Sequence, residues 1–508
     1  MRKVALIISI VCSIAVQAQH ITKQNYAFAD ETQLWRLTGN AAGLSLDSAQ
    51  ARGVAIIDYS HRSGDFHRVQ EGSQTNNLEL FTERYQKIGK YLYGYGSFKF
   101  DMGRTKNRAW SDVIRTYESN PFISGSSVEG SYDHQDFELN ASIATVPMGR
   151  FTYGANLNYK VGDLSRLRDP RSRINLAQYR LTPAITYSIG SSTLGLAGYY
   201  DRRKEKLPNL TTVQTDPNLM YYQMTGIATA SGTIGDYNGY MREYVAHTFG
   251  GEVNYGYRSE HFNSVNALSM SHTNEYIYGT NKYQPGRYFA NTFGFATHNR
   301  LKTGSTLQSV DATLKYEEAY ADEYRQERIS ETDSITGYNS IYWRTLMTYK
   351  KRHQMKKYEA ALRYRCSFVD NDAINGYIGM QAKWRSVDLK HLLPEDALKY
   401  GNTLVQLEGG LPLLQQRLWI EAQAGYSFAK TVTLNTTETT YATNVLIPDA
   451  LNILDKDYFT GSMKCSLQLP VTIDNKTRNW VLSLYGNYIS AKNDLNRYHL
   501  GISLGLYY

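Results

Sequence analysis

Past the first eighteen residues, the sequence has no apolar stretch long enough for a membrane-spanning helix, and its mean hydropathy is −0.48. A helical membrane protein is thereby excluded. Cysteine is nearly absent, with 3 in 508 residues, and proline is sparse at 11, which excludes a disulfide framework and a proline-rich rod. Cys12 falls in the opening apolar run, and Cys366 and Cys465 sit on the apolar phase of separate segments, so both are expected as free thiols. The formal charge of +8 drops to about +6 without Arg2 and Lys3, and no element concentrates it, so nucleic acid is not an expected partner. No His-Glu-x-x-His, phosphate-binding loop or paired-cysteine zinc spacing occurs. Gly501-Ile502-Ser503-Leu504-Gly505 has the spacing of a nucleophile elbow, yet it lies inside an alternating strand pattern instead of a strand-to-helix turn. No catalytic, cofactor-binding or metal-binding residue is assigned, and a non-enzymatic protein is expected.

What is present begins with an export leader. Arg2 and Lys3 precede the apolar run Val4 to Val16, and Val16-Gln17-Ala18 supplies a small-residue cleavage site, giving a signal peptide over 1–18. Ser9-Ile10-Val11 before Cys12 lacks the small residue of a lipoprotein site, so no lipid anchor is expected.

Tyrosine is the other conspicuous feature, with 43 against 16 phenylalanines, together with 39 glycines. Period-two alternation dominates from residue 51 onward. In Arg150 to Gly162, Phe151, Tyr153, Ala155, Leu157, Tyr159 and Val161 share one face, while Thr152, Asn156, Asn158 and Lys160 share the other. The last residues repeat the pattern, with Tyr498, Leu500, Ile502, Leu504, Leu506 and Tyr508 in one phase. One face suits lipid and the other suits a wet interior. About eighteen such strands can be read, an even count suited to a closed single-chain barrel, with 14–16 if neighbouring segments merge.

The connections alternate in length. Tight turns are expected at Lys87-Ile88-Gly89, Val146-Pro147-Met148, Gly190-Ser191, Ser259-Glu260, Lys302-Thr303-Gly304, Asp370-Asn371-Asp372 and Leu411-Pro412-Leu413. Long loops fall near 104–123, 163–175, 205–240, 323–351 and 433–455. The expected fold is all-β, a transmembrane antiparallel barrel over 51–508. A short lumenal or periplasmic segment over 19–50 precedes it.

On the polar phase, the lumen is expected to receive Lys99, Asp101, Arg150, Lys160, Arg180, Asp311, Lys315, Glu359, Arg363, Arg365, Lys383 and Arg385. Mixed signs suit a solvated, cross-linked wall. Arg363, Arg365, Lys383 and Arg385 crowd two neighbouring strands and could favour anions, although a turn at Asn371 would set Glu359 opposite Lys383. A two-residue turn at Ser259-Glu260 would set His247 opposite His272 on the lipid face, more a belt pair than a metal site. Trp35, Arg36 and Asn40 are the expected N-terminal constriction, and Tyr508 ends the assembly strand.

The leader, the Trp35 to Leu44 segment and the tyrosine-rich strands ending in Tyr508 resemble uncharacterised outer-membrane barrels of Bacteroidota. Asn40-Ala41-Ala42-Gly43-Leu44 is similar to the Asn-Pro-Ala-Gly-Leu stretch of the long-chain fatty-acid transporter class, with Ala41 in place of proline. That likeness implies a lumenal N-terminal segment and no particular substrate. The expected location is the outer membrane of a Gram-negative cell. A channel or transporter for small solutes is expected there, or alternatively an accessory barrel docked to another envelope protein. Its partners would be outer-membrane lipid, lipopolysaccharide and the barrel-assembly machinery.

Overall fold

The computed structural model describes residues 21–47, 51–116, 120–213, 220–227, 229–233, 240–332, 334–393, 395–437, 440–473 and 476–508. The signal peptide and Gln19 lie outside the described residues.

Eighteen antiparallel strands close into one barrel. In chain order they are β1 (Arg52–Gly64), β2 (Gln74–Ile88), β3 (Leu92–Arg108), β4 (Gly130–Thr145), β5 (Phe151–Arg166) and β6 (Arg173–Ile189). Next come β7 (Ser192–Leu207), β8 (Arg242–Arg258), β9 (Phe262–Gly279), β10 (Gly286–Thr303), β11 (Thr306–Thr332) and β12 (Asn339–Asp370). The last six are β13 (Ala373–His391), β14 (Asp396–Leu413), β15 (Leu418–Asn435), β16 (Tyr458–Ile473), β17 (Lys476–Ala491) and β18 (Asn496–Tyr507).

Closure joins β1 to β18, with Val54 opposite Tyr507 and Ile57 opposite Leu504. Past the end of β18, Gly53 N donates to Tyr508 O at 2.6 Å and Tyr508 N donates to Gly53 O at 3.0 Å. Closing every edge satisfies the backbone polar groups that hydrocarbon could not. The alternation points as the sequence implies: Phe151, Tyr153, Leu157 and Tyr159 are exposed on the outer wall, while Thr152 is buried and Asn156 lines an interior cavity.

Tight turns join strands at one end of the barrel. Gly190 and Gly304 supply positive φ there, at 57° and 56°, as short hairpin turns need. The turn expected at Leu411 to Leu413 falls later, because β14 continues through Leu413 and Leu414 to Arg417 make the turn.

Two expected loops are built differently. The stretch 323–351 mostly extends β11 and β12 into a long hairpin past the neighbouring strands, tied by Arg344 to Glu327 at 2.8 Å and Tyr342 to Glu331 at 2.6 Å. The connection after β15 contains helix α2 (Tyr441–Leu454), whose cap residue Thr440 accepts a hydrogen bond from Thr443 N. In the N-terminal segment, helix α1 (Lys23–Thr32) is fixed by a capping box between Thr22 and Asn25. Two short 3-10 turns, Trp35–Leu37 and Ala41–Ser45, follow it.

Candidate functional site

The interior is closed near the tight-turn end, closed again at the long-loop end, and hollow between. The inner closure is the N-terminal segment. Glu31 on α1 is buried, and its carboxylate meets Arg365 Nη1 at 2.9 Å, Arg300 Nη2 at 3.3 Å and Arg363 Nη1 at 3.7 Å. Lys23 reaches Glu421 at 2.9 Å, and Arg36 reaches Asp30 at 2.8 Å and Glu83 at 3.2 Å. Glu83 also accepts from the hydroxyls of Tyr95 and Tyr26. Beyond α1, Asp47 accepts from the backbone N–H groups of Trp35 and Arg36 at 3.2 and 3.0 Å. Burial pushes the Asp47 carboxyl up to about 7.

The expected constriction residues are seated on the wall. Trp35 packs against Gly256, where an added Cβ would lie 2.7 Å from Trp35 Cζ2, so this strand position needs a glycine. Arg36 lies 5.0 Å over the Tyr95 ring, and Asn40 caps the second 3-10 turn while donating to Asn254 Oδ1 at 3.0 Å. With Arg180, Tyr199 and Glu252 these three residues line a cavity of about 360 Å³.

A larger interior cavity, of about 800 Å³, is lined by Asp58, Glu79, Asp101, His134, Glu421 and Lys464 among others. Lys99 pairs with Glu79 at 2.6 Å, and Asp101 pairs with His134 at 2.9 Å. Elsewhere on the inner wall, Lys160 is 3.6 Å from Asp136, Arg180 is 3.0 Å from Asp201, and Asp311 takes His298 and Arg300 at 2.7 and 2.8 Å. Lys315 lies 3.6 Å from Glu317 and 4.0 Å from Glu359. A wall so thoroughly cross-linked is held in shape.

Of the four crowded cations, Arg363 and Arg365 both donate to Glu408 at 2.9 Å, and Arg385 lies 3.8 Å from Glu359. Lys383 is exposed and has no ion pair among the described residues. Glu359 stands opposite Arg385, not Lys383: the turn pairs Asp370 with Ala373, which moves the register by one residue, and an irregularity between Ser367 and Val369 moves it by one more. His247 is likewise not opposite His272. The turn after Arg258 is longer than two residues, so His247 faces Asn274 and bonds Tyr200, while His272 faces Phe249. Arg150 is a correction as well: it precedes β5, sits in the turn, and donates to the hydroxyl of Tyr187, whose ring packs on lipid-facing Phe151. Ser503 lies within β18, paired with Asp58 and Ser483, so the elbow spacing has no elbow geometry.

The outer closure combines α2 with a three-stranded patch of Ser124–Ser126, Tyr221–Met224 and Ala230–Thr233. Trp110, Phe122, Tyr222, Tyr244 and Leu446 form its apolar core. Beside it, Glu275 is fully buried and holds Arg203 at 2.5 Å and Arg115 at 2.9 Å. Glu31, Glu275 and Glu408 were not singled out in the sequence. Glu275 and Glu408 carry one signal, a lone acid within a strand pattern, and Glu31 carries none.

A family profile matches residues 41–508, the whole barrel and the second 3-10 turn before it. The chain belongs to DUF6850, a family of unknown function. No curated protein matches the sequence. Among solved structures, the barrel is similar to the outer membrane transporter YddB from Escherichia coli, at 8% identity and a TM-score of 0.41 over 90% of this chain and 80% of that one. It is also similar to the FrpB iron transporter from Neisseria meningitidis, at 12% identity and 0.40, covering 93% and 83%. The outer membrane protein OpdK from Pseudomonas aeruginosa gives 8% identity and 0.35, covering 90% and 99%.

Proposed function

We propose that this barrel passes a small polar solute across the outer membrane through a lumen closed at both ends at rest. The observation that carries this reading is the polar cavity of about 800 Å³ between two closures of different chemistry. The inner closure is held by ion pairs and hydrogen bonds, which can exchange for water, and by a few small apolar contacts. The polar lining argues for a polar cargo, so the likeness of Asn40 to Leu44 to the fatty-acid transporter class bears on the placement of the segment and not on its substrate. The outward face would meet lipid and lipopolysaccharide, and the strand ending at Tyr508 would be the part handled by the assembly machinery.

Single-channel recording in planar bilayers tests the reading. The intact protein is expected to be mostly closed, and a form lacking residues 19–50, with only the outer closure left to yield, to show a higher open probability. Silence from both forms, with the truncated barrel shown to be folded, would refute a solute pathway.

A second reading, an accessory barrel docked to another envelope protein, is favoured by the projecting hairpin of β11 and β12. Ile335 and Tyr338 near its tip are 92% and 72% exposed. Co-purification in mild detergent, lost when residues 325–347 are replaced by a short turn, would support that reading.

A further inference from the structure

Among the buried polar groups, one cluster takes no part in either closure's ion-pair network. Near the long-loop end, Glu323 on β11, His353 on β12 and His391 on β13 each offer a ligating atom, and these atoms lie within 4.8 Å of one another. The histidines are 7% and 4% exposed, and their rings lie 4.6 Å apart. His353 Nε2 and both ring nitrogens of His391 lack a hydrogen-bond partner. So does Oδ2 of Asp396, a residue 1% exposed, which lies 3.7 Å from His391 Nδ1.

Buried polar atoms are normally satisfied, and several orphans converging in one place call for a missing partner. A water would answer some of them, but two adjacent imidazoles beside two carboxylates have the donor set of a divalent transition ion. We propose that Glu323, His353 and His391 form a binding site for a single divalent transition-metal ion such as Zn²⁺.

His353 Nε2 and Glu323 Oε2 are 3.9 Å apart, so a modest approach of the side chains would bring both onto one ion. Asp396 is placed to accept from His391 Nδ1–H, which would leave His391 Nε2 as the metal donor. The other charged group at the cluster is Arg352, whose Nη1 is 3.0 Å from Glu323 Oε1, leaving Oε2 on the side of His353.

The surroundings are also built. Phe122 sets its ring edge-on to His353 at 5.4 Å, and Gly226 passes over the pair, where an added Cβ would lie 3.5 Å from both rings. A cavity of about 150 Å³ beside His353 provides room for a further ligand. Outward positions beyond the belt residue Tyr358 are Lys356 and Gln354, so the cluster stands past the lipid-facing band. An ion here would staple β11, β12 and β13 under the outer closure.

The test uses the full mature chain, without a histidine tag, stripped of metal in detergent and titrated with Zn²⁺ by calorimetry, then with Co²⁺ by visible absorption. One equivalent of Zn²⁺ is expected, with a Co²⁺ spectrum of low coordination number. His353→Ala and His391→Ala should each weaken binding at least 100-fold, and Asp396→Asn about 10- to 100-fold. The surface control His272→Ala should bind as the parent does. Heat-modifiable migration on gels checks that each variant is a folded barrel, and His391→Gln serves if alanine misfolds. No binding by the parent, or unchanged binding by folded His353 and His391 variants, would overturn the site.

Discussion

Arg365 on β12 places its Nη1 2.9 Å from Glu31 Oε1, joining the wall to a helix that precedes it by 334 residues. Arg363 and Arg300 converge on the same carboxylate, so Glu31 is the principal anchor of the inner closure. Glu31→Gln should weaken docking of the segment by about 1.5–3 kcal/mol, the usual worth of a hydrogen bond to a charged group. Raised open probability in bilayers and faster proteolysis between Lys23 and Arg36 would report it. If the variant remains as closed as the parent, the ion pairs do not hold the segment.

A second variant reaches the same closure without touching a charge. A Cβ at Gly154 on β5 would overlap the backbone of Ala41 and Ala42, so Gly154→Val should push out the second 3-10 turn while its side chain stays within the lumen. Conductance should rise as it does for Glu31→Gln, while barrel melting changes little. A large loss of barrel stability instead would mean that the segment belongs to the folding core.

The sequence exposed the barrel wall and hid what fills it, for a physical reason. Phe151 to Gly162 separates lipid from water on every second residue, and that contrast writes the period into the chain. The hairpin beyond Tyr324 has water on both sides, so Arg325, Glu327 and Arg328 show no alternation and read as a loop. Helix α1 buries Gln24 and Glu31 against a polar wall, so it lacks the apolar stripe that marks a helix. Apart from Arg150, which lies in a turn, the candidate charges lie on strands, while their partners depended on register. One longer turn after Arg258 displaced His247 from His272, and the turn at Asn371-Asp372 together with one bulge near Phe368 exchanged Lys383 for Arg385. The cluster at His353 needed the same register, because three separate strands supply its members.

Tyr508 completes the seam. Its backbone makes two hydrogen bonds to Gly53, and its ring, 6% exposed, lies 2.7 Å from where a Cβ at Gly53 would stand, with Arg84 5.5 Å over its face. Deleting Tyr508 removes both bonds, at about 0.5–1.5 kcal/mol each, together with the ring packing. The heat-modifiable, fully closed fraction after refolding should fall, and Gly53→Leu should reproduce the defect with the terminus intact. Refolding at the parental yield by both variants would show that the seam is closed by the remaining β1–β18 pairs alone.

Docking of the N-terminal segment should also respond to pH through Asp47. Its carboxyl is raised from the ordinary 3.8 to about 7 by burial, against the lowering influence of Arg258, Arg52 and the two backbone N–H groups. The docked state therefore binds a proton more readily than the released state. Docking should be strongest near pH 4, weaken as pH rises towards 7, and level off above that. A nitroxide on Leu37→Cys, in a Cys366→Ser, Cys465→Ser background, would report this as spectral narrowing across the same window. Asp47→Asn keeps an acceptor for the backbone N–H groups but cannot ionise, so it should abolish the narrowing. The same pH response in that variant would assign the effect to another group, and the opposite slope would mean that Asp47 is charged in the docked segment.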